Sequence, residues 1–275
     1  MPTEAVDDGP GADAPPLSKG ALRSTRRLLQ RRARAETGLF LAEGAQPVRE
    51  ALRRPGTVVR LIVDDPGHHG ELMALARGVE VVRAGPEELR SLCGTVTPQG
   101  VVAVCRWPRA VLSELVRPRL VVLCAQVRDP GNAGTVVRCA DAFDADAVVL
   151  TRGSVDVTNP KTVRASVGSL LHLPVVTDVE EDEAIAWVHA HGMRVLAADA
   201  AGEPLDELDA RGELARPTAW LLGNEAWGLP DALLDAADRT VAVPMWGRAE
   251  SLNLSTAAAI CLYASAGAQR RAARR

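Results

Sequence analysis

Short apolar runs alternate with amphipathic segments along most of the chain. In its first part, strands are predicted at residues 38–42, 58–63, 79–82 and 100–105, and helices at 18–34, 46–53, 70–77 and 86–92. The runs are short and bounded by Gly, Pro or charged residues, as is typical of strands that lie between helices. This alternation predicts a small α/β sandwich.

The same alternation continues with longer helices in the second part. Strands are predicted at residues 120–125, 147–151, 175–176, 194–198, 219–222 and 240–243, and helices at 135–143, 163–171, 180–191 and 253–269. Residues 202–217 are predicted to be a loop with a 3₁₀ turn. Repeated strand–helix units predict a parallel sheet with helices on both faces.

Composition divides the chain into four segments. Residues 1–17 carry four acidic residues and no Lys or Arg among many Pro, Gly and Ala, which predicts a disordered tail. A first domain is predicted at 18–106, a linker with two prolines at 107–118, and a second domain at 119–275. No apolar run approaches the ~20 residues of a membrane span.

The cysteines and histidines exclude other classes of site. The five cysteines are odd in number and scattered, which indicates reduced thiols in a cytoplasmic protein. The five histidines have no metal-ligand spacing, so no metal site is expected. The net charge of −3 does not indicate a nucleic-acid binder, but seven Lys or Arg fall within residues 19–34. Such a charge run is usually a solvated helix face.

Polar residues follow the apolar runs at the end of the chain. Glu225 comes directly after one predicted strand, and Ser251 and Asn253 follow the next strand and precede an Ala-rich helix. Ligands of open α/β sheets bind beyond the carboxyl ends of strands. These residues are therefore candidates for a functional site.

Three ordered segments resemble the motifs of the SpoU/TrmH family of RNA 2′-O-ribose methyltransferases, in the knotted SPOUT superfamily. The second and third motifs match GNEAWGLP at 223–230 and VPMWGRAESLNLSTAAAICLY at 243–263. The first motif matches DPGNAGTVVRCADAF at 129–143, with Asn132 and, six residues later, Arg138.

The resemblance implies an α/β fold with two parts. The C-terminal part is expected to be a parallel-sheet SPOUT domain with a deep trefoil knot, working as a homodimer. The Arg-rich helix followed by GLFLAEG at 38–44 is similar to the ribosomal-protein-like substrate-binding domain of many SpoU-type enzymes.

The resemblance also implies a set of catalytic residues, namely Asn132, Arg138, Glu225, Ser251 and Asn253. Arg138 matches an arginine thought to take the proton of the 2′-hydroxyl. A guanidinium is a poor base, so anchoring the substrate phosphate is the alternative. Residue type alone also allows purely structural roles. Arg138 suits an ion pair, and Asn132 suits a turn. Glu225 suits the start of a helix, and Ser251 and Asn253 suit helix caps.

The implied cofactor is S-adenosyl-L-methionine (AdoMet). The matching positions for it are Gly223, Val243, Met245, Leu252 and Asn253. A nicotinamide site is not indicated, because the first strand of this domain is not followed by G-x-G-x-x-G.

RNA contacts are expected at two places. Beside an RNA-modifying domain, the basic helix is interpreted as a phosphate-binding surface of Arg23, Arg26, Arg27 and Arg31. NPKTVRASVG at 159–168 resembles another family segment, so Lys161 and Arg164 are expected to touch RNA or a dimer partner; solvated helix cations are the alternative.

The sequence therefore predicts AdoMet-dependent 2′-O-ribose methylation of RNA, with 23S ribosomal RNA favoured by the ribosomal-protein-like domain. Three alternatives stay open. The chain is a tRNA 2′-O-methyltransferase, a catalytically silent knotted protein for RNA binding or ribosome assembly, or an enzyme of antibiotic resistance that uses the same reaction.

Overall fold

Two separate β-sheets organise this protein, and each sheet belongs to its own unit of the chain. The computed structural model describes residues 14–224 and 226–274. The first unit comprises Met1–Pro108 and Thr158–Leu171, and the second unit comprises Arg109–Val157 and His172–Arg275. The segment Thr158–Leu171 therefore groups with the first unit, although it falls inside the second domain expected at 119–275.

Helices and strands alternate through the described residues. The strands are β1 (Leu39–Glu43), β2 (Val58–Val63), β3 (Glu80–Arg83), β4 (Val101–Arg106), β5 (Leu120–Cys124), β6 (Ala147–Thr151), β7 (Val175–Val179), β8 (Arg194–Pro204), β9 (Thr218–Leu222) and β10 (Arg239–Ala242). The helices are α1 (Lys19–Arg27), α2 (Arg31–Thr37), α3 (Ala45–Arg53), α4 (Gly70–Leu75), α5 (Pro86–Leu92), α6 (Pro130–Ala142), α7 (Pro160–Ser166), α8 (Glu181–Ala190), α9 (Leu205–Ala210), α10 (Asp231–Ala236) and α11 (Leu254–Ala273). Short 3₁₀ turns lie at Pro66–His69, Leu112–Glu114, Ser169–Leu171 and Glu213–Ala215.

The first unit contains a mixed sheet in the order β1-β4-β2-β3. Strand β4 pairs antiparallel with both β1 and β2, and β2 pairs parallel with β3. Apolar side chains of all four strands meet those of α1 and α5 in one cluster, which includes Leu28, Leu41, Ile62, Val82, Leu89 and Val104. The small α/β sandwich predicted from the alternation is thus present.

The second unit contains a parallel sheet in the order β10-β8-β9-β5-β6-β7. All neighbouring strands in it run parallel. Every residue of β5, β6 and β9 is buried. Strands covered on both faces need such continuous apolar runs, so the predicted parallel sheet is confirmed.

The long last helix is fixed to this sheet by buried polar contacts. The indole N–H of Trp220 on β9 donates to Ser265 Oγ of α11 at 2.9 Å, and both residues are fully buried. One turn later, Gln269 Nε2 donates to the carbonyl oxygens of Arg119 and Arg216 at 3.0 and 3.1 Å. A buried donor that finds its acceptor fixes orientation as well as position, so these contacts set the register of α11.

The expected disordered tail lies largely outside the described residues, which begin at Ala14. Residues 14–17 run beside β3. The backbone N–H of Arg83 donates to the carbonyl of Pro15 at 2.8 Å, and that of Leu17 donates to the carbonyl of Arg83 at 2.7 Å. Backbone pairing at the open edge of the sheet and burial of Leu17 hold this segment.

The basic helix expected at 18–34 is two helices, α1 and α2, separated at Leu28–Gln30. The buried guanidinium of Arg34 explains the break. Its Nη1 donates to the carbonyl oxygens of Leu28 and Leu29, both at 2.9 Å. Carbonyls at a helix end lack intrahelical partners, and a cation that donates hydrogen bonds to them lets the chain turn there.

Helix α6 begins at Pro130, five residues before the start predicted at 135. Asp129 is its N-cap and accepts the backbone N–H of Asn132 at 2.8 Å. An Asp cap followed by Pro at the first helical position is a favoured start. Asn132 therefore lies in the first turn of a helix and not in a β-turn.

Two other segments differ from the prediction. The loop expected at 202–217 contains the end of β8, the helix α9 and a 3₁₀ turn. The helix expected at 163–171 is α7, which ends where Val167 takes a left-handed conformation with φ of 51°. Asn159 caps α7 by accepting the backbone N–H of Lys161 at 2.9 Å, which explains the early start.

Candidate cofactor pocket and active site

A cavity of about 530 Å³ lies at the carboxyl ends of β9 and β10 and beside the middle of β8, at residues 198–200, in the second unit. The five residues expected to hold a cofactor all line it, namely Gly223, Val243, Met245, Leu252 and Asn253. Ser251 lines it as well. Its size falls within the ~300–1,000 Å³ typical of small-molecule sites. The structure therefore joins the second and third motifs around one pocket.

Position 223 requires glycine because the backbone of Gly228 lies very close to it. A Cβ atom at this position would lie 2.4 Å from the carbonyl carbon of Gly228. Asn224 and Gly228 exchange two backbone hydrogen bonds, at 3.0 and 2.9 Å, which close the 224–228 turn. Only a residue without a side chain lets this turn fold back over the end of β9.

The side chain of Asn224 fixes the 224–228 turn to the neighbouring segment. Its Nδ2 donates to the carbonyl oxygen of Gln126 at 2.6 Å, and its Oδ1 accepts the backbone N–H of Ala226 at 2.8 Å. Asn224 is buried, so these bonds are shielded from water. The backbone on this side of the cavity is therefore held in place before any ligand arrives.

Asn253 has two roles in the structure. As the N-cap of α11, its Oδ1 accepts the backbone N–H groups of Ser255 and Thr256, at 2.9 and 3.4 Å. Its Nδ2 donates to Oδ1 of Asn132 at 2.9 Å. The cap therefore leaves the amide N–H of Asn253 available for a second contact, and this contact joins the first motif to the third.

Arg138 lies two turns after Asn132 on α6 and is exposed. It does not line the cavity. The carboxylates considered as its partners are engaged elsewhere, since Asp129 caps α6 and Asp141 pairs with His172 at 2.8 Å. No ion pair joins Arg138 to any residue that the structure describes. A guanidinium in this situation is available to an external anion.

The adjacent thiol is not a nucleophile. Burial raises the pKa of Cys139, although the positive charge of Arg138 acts in the opposite direction. Burial likewise raises the pKa of Cys93, Cys105 and Cys261 to about 12. These thiols stay protonated near neutral pH, and only a thiolate attacks effectively. The structure therefore favours chemistry without a covalent cysteine intermediate.

Glu225, the remaining catalytic candidate, lies outside the described residues. A cavity residue that the sequence reasoning missed is Asp199, which follows the predicted strand 194–198 and lines the pocket. Its Oδ1 accepts the backbone N–H of Ala201 at 2.9 Å. A carboxylate at the end of a buried parallel strand was the available signal.

The candidate RNA-binding residues all lie in the first unit. Arg23, Arg26, Arg27 and Arg31 are exposed on α1 and α2, and Lys161 is exposed on α7. Arg27 approaches Glu36 at 3.8 Å, a weak exposed pair. All four guanidinium groups and the Lys161 side chain are therefore accessible to solvent.

Arg164 differs from the other cations because it is half-buried and pairs with a largely buried carboxylate. Its Nη1 lies 3.1 Å from Oε2 of Glu43, a carboxylate that is 9% exposed and also accepts the backbone N–H of Gly94 at 3.0 Å. A Cβ on Gly94 would lie 2.3 Å from the guanidinium. This packing indicates a structural role for Arg164 within the first unit.

Arg164→Ala is therefore expected to lower the free energy of unfolding of the first unit by about 1–3 kcal/mol, because it leaves Glu43 buried without its counter-charge. Arg32→Ala is the matched control, since the side chain of Arg32 is 90% exposed in its pair with Glu36. That control should change stability by about 0.5 kcal/mol or less. Urea unfolding of both variants measures the difference, and equal stabilities would contradict the structural role.

Within residues 14–224 and 226–274, no group of three or more His, Cys, Asp and Glu side chains is arranged to hold a metal ion. Over the same residues, no helix is long and apolar enough to cross a membrane.

Comparison with protein families gives two matches. Residues 119–263 match the SpoU rRNA Methylase family, and residues 20–103 match the MRM3-like substrate binding domain. The two matches cover the segments in which the methyltransferase motifs and the basic helices lie.

Individual proteins match over most of the chain. The 23S rRNA (guanosine(2553)-2′-O)-methyltransferase RlmP of Bacillus subtilis is 36% identical over 86% of this chain and 92% of its own length. The 23S rRNA (uridine(2479)-2′-O)-methyltransferase of Streptomyces viridochromogenes is 34% identical over 85% of this chain and 84% of its own. Among solved structures, the AdoMet-bound rRNA methyltransferase of Sinorhizobium meliloti superimposes with a TM-score of 0.80 at 30% identity, covering 92% of this chain and 96% of that one.

Proposed function

Because this chain belongs to the SpoU rRNA methylase family, and is therefore an AdoMet-dependent RNA 2′-O-methyltransferase, we propose that its substrate is 23S rRNA. We further propose that the contact between Asn132 and Asn253 marks the centre of the catalytic site. It is the single observation that carries this assignment, since it joins two motifs 121 residues apart beside the cavity.

The cavity suits AdoMet in shape and in chemistry. When bound, AdoMet supplies a methyl group on a positively charged sulfur, which an oxygen nucleophile can take. The close backbone approach at Gly223 leaves peptide groups open to the edge of a flat ring, and Val243, Met245 and Leu252 provide apolar contacts beside it. The Asp199 carboxylate adds a negative charge to the lining of the cavity, suited to a cationic ligand.

Arg138 is proposed to hold the phosphate next to the reacting ribose and not to act as the base. A guanidinium with a pKa above about 12 seldom gives up its proton. The planar guanidinium of Arg138, which has no carboxylate partner within residues 14–224 and 226–274, can bind a phosphate through two parallel hydrogen bonds. Holding that phosphate fixes the direction from which the 2′-oxygen approaches the methyl group.

The asparagine pair is proposed to orient the ribose. Asn253 is held by α11 and Asn132 by the first turn of α6, so both amides are presented from rigid elements. Ser251 lines the cavity beside them and has a hydroxyl that can accept or relay the proton of the 2′-hydroxyl. Glu225 keeps the role implied by the second motif, a carboxylate that binds ribose or orders Asn132.

The first unit is proposed to bind the rRNA. Its match to a substrate-binding domain and the exposed arginines of α1 and α2 support this assignment. Clustered arginines contact phosphates and contribute affinity that depends on salt. Lys161 is included in this surface, whereas Arg164 is assigned to the pair with Glu43.

Arg26→Glu combined with Arg27→Glu is expected to weaken binding to 23S rRNA about tenfold or more. Its salt dependence should also become shallower by about one to two units in slope, because two phosphate contacts are lost. Arg77→Glu combined with Arg90→Glu is the control, since it makes the same change in net charge at exposed positions of the same unit. Filter binding between 50 and 300 mM salt measures the rRNA affinity of both double variants. If both variants lose the same affinity, the loss reflects net charge alone, and the binding surface on α1 is contradicted.

Assembly and location complete the proposal. We propose a homodimer through the second unit and a knotted threading of α11, in line with the resemblance of the motifs to the SpoU/TrmH family. A cytoplasmic location agrees with five free cysteines. The proposed domains remain the substrate-binding domain at 18–106, the linker at 107–118 and the methyltransferase domain at 119–275. Thr158–Leu171 is the exception, because it groups with the substrate-binding unit.

The proposal is tested with methyl-labelled AdoMet and separately purified 23S rRNA, 16S rRNA and tRNA from cells that lack this protein. Label in the 23S rRNA alone supports the proposal. Label in tRNA alone would favour the tRNA alternative. Tight AdoMet binding by calorimetry is also expected, and its absence, with no label in any RNA, would favour the catalytically silent alternative.

A further inference from the structure

The 224–228 turn presents a large aromatic side chain to solvent. Trp227 is 51% exposed, whereas Trp220, on the strand that leads into this turn, is fully buried. A solvent-exposed indole contributes little to the core of the second unit. Exposed tryptophans on ordered backbone are enriched where proteins bind partners.

Trp227 lies at the rim of the cofactor cavity. Its neighbours on both sides, Ala226 and Gly228, line that cavity, and Trp227 does not. The turn is closed by the backbone pair of Asn224 and Gly228 and is fixed by the bond from Asn224 to Gln126. The indole therefore lies between two residues whose backbone and side-chain contacts are fixed, just outside the place where the methyl group is proposed to be delivered.

A guanidinium covers part of this indole. The Arg128 guanidinium carbon lies 4.8 Å from the centre of the Trp227 ring, in cation–π geometry. Arg128 immediately precedes Asp129, the cap of the helix that carries Asn132 and Arg138. The pair therefore links the second motif to the first and places a flat, positively charged surface next to the proposed ribose site.

We propose that Trp227, with Arg128 above it, is a stacking platform for a nucleobase of the RNA substrate next to the ribose that is methylated. This inference rests on the proposed function. A ribose whose 2′-oxygen faces the cavity carries its base within a few ångströms of the rim. Indole and guanidinium planes both stack on bases, and stacking accepts purines and pyrimidines alike.

Trp227 as a stacking platform for RNA and Trp227 as a clamp, which only holds the 224–228 turn closed, lead to different expected results. A clamp would act on the turn itself, so its loss would disturb Gly223 and weaken AdoMet binding. A platform acts on RNA alone and through a contact that is not electrostatic. Its loss should weaken RNA binding and leave both the AdoMet affinity and the salt slope of RNA binding unchanged.

The test compares Trp227→Leu with Trp227→Phe in the full-length protein, with 23S rRNA from cells that lack this protein as the probe. Trp227→Leu should raise the Kd for rRNA about tenfold, whereas Trp227→Phe, which keeps an aromatic face, should stay within about threefold of wild type. Calorimetric AdoMet affinity should agree within about twofold for all three proteins, and the salt slopes should coincide.

Two results would overturn the platform. One is an unchanged Kd for rRNA in Trp227→Leu, and the other is an equal loss in the Leu and Phe variants together with weakened AdoMet binding, as a clamp requires. Both apply when wild type methylates the rRNA. If the wild-type protein itself transfers no methyl group to the rRNA, the proposed function is contradicted. If the wild-type protein methylates the rRNA and one of these two results is found, only the stacking proposal is contradicted.

Discussion

Arg138→Ala is expected to lower the rate of methyl transfer to rRNA about a thousandfold and to leave AdoMet affinity within about twofold of wild type. The rate falls because the phosphate next to the ribose loses its bidentate partner, so the 2′-oxygen is no longer held in line with the methyl group. AdoMet affinity stays because Arg138 does not line the cavity. Single-turnover transfer and calorimetry measure the two quantities.

Arg138→Lys tests how much of the anchor depends on the planar guanidinium and how much on charge alone. Lysine keeps the positive charge near a phosphate but lacks the planar fork, so partial activity is expected from an anchor. The protein fold should be unaffected in either variant, because Arg138 is exposed and has no ion-pair partner among the residues that the structure describes. Wild-type turnover in Arg138→Ala would contradict the anchor.

Gly223→Ala is expected to weaken AdoMet binding at least tenfold. The new Cβ would meet the carbonyl carbon of Gly228 at 2.4 Å, and because that atom is backbone, the whole 224–228 turn must move. That movement displaces the wall of the cavity to which Gly223, Ala226 and Gly228 belong. Calorimetric titration with AdoMet is the measurement.

Gly247→Ala is the matched control for this prediction. A Cβ at Gly247 has no heavy atom within 4 Å, so the same chemical change meets open space. AdoMet affinity close to wild type is expected for this variant. If Gly223→Ala binds AdoMet as well as Gly247→Ala does, the close approach at Gly223 does not define the pocket.

The sequence predicted the sheets well because their strands are apolar and sharply bounded. Strands β2 and β6 have the predicted ends, since a run of buried residues stops at a polar turn in both cases. The cofactor pocket was also predictable, because its residues follow strand ends and match an ordered set of motifs. Their convergence on one cavity could not be read from spacing alone.

The differences from the predicted elements have local causes that the pattern of apolar positions does not record. The break between α1 and α2 depends on where the guanidinium of Arg34 points. Asp199 was missed because a single carboxylate after a strand carries no motif. Helix α9 was assigned to a loop because it is short and flanked by Pro, Gly and charged residues.

The central claim is that the residues around Asn132 and Asn253 place a ribose oxygen of 23S rRNA against the methyl group of AdoMet. Primer-extension mapping of 2′-O-methyl groups along 23S rRNA tests it most directly, in cells that lack this protein and in the same cells supplied with wild type or Arg138→Ala. One additional modified ribose is expected with wild type and none with Arg138→Ala. Identical maps in all three, or a modification restored equally by Arg138→Ala, would contradict the account.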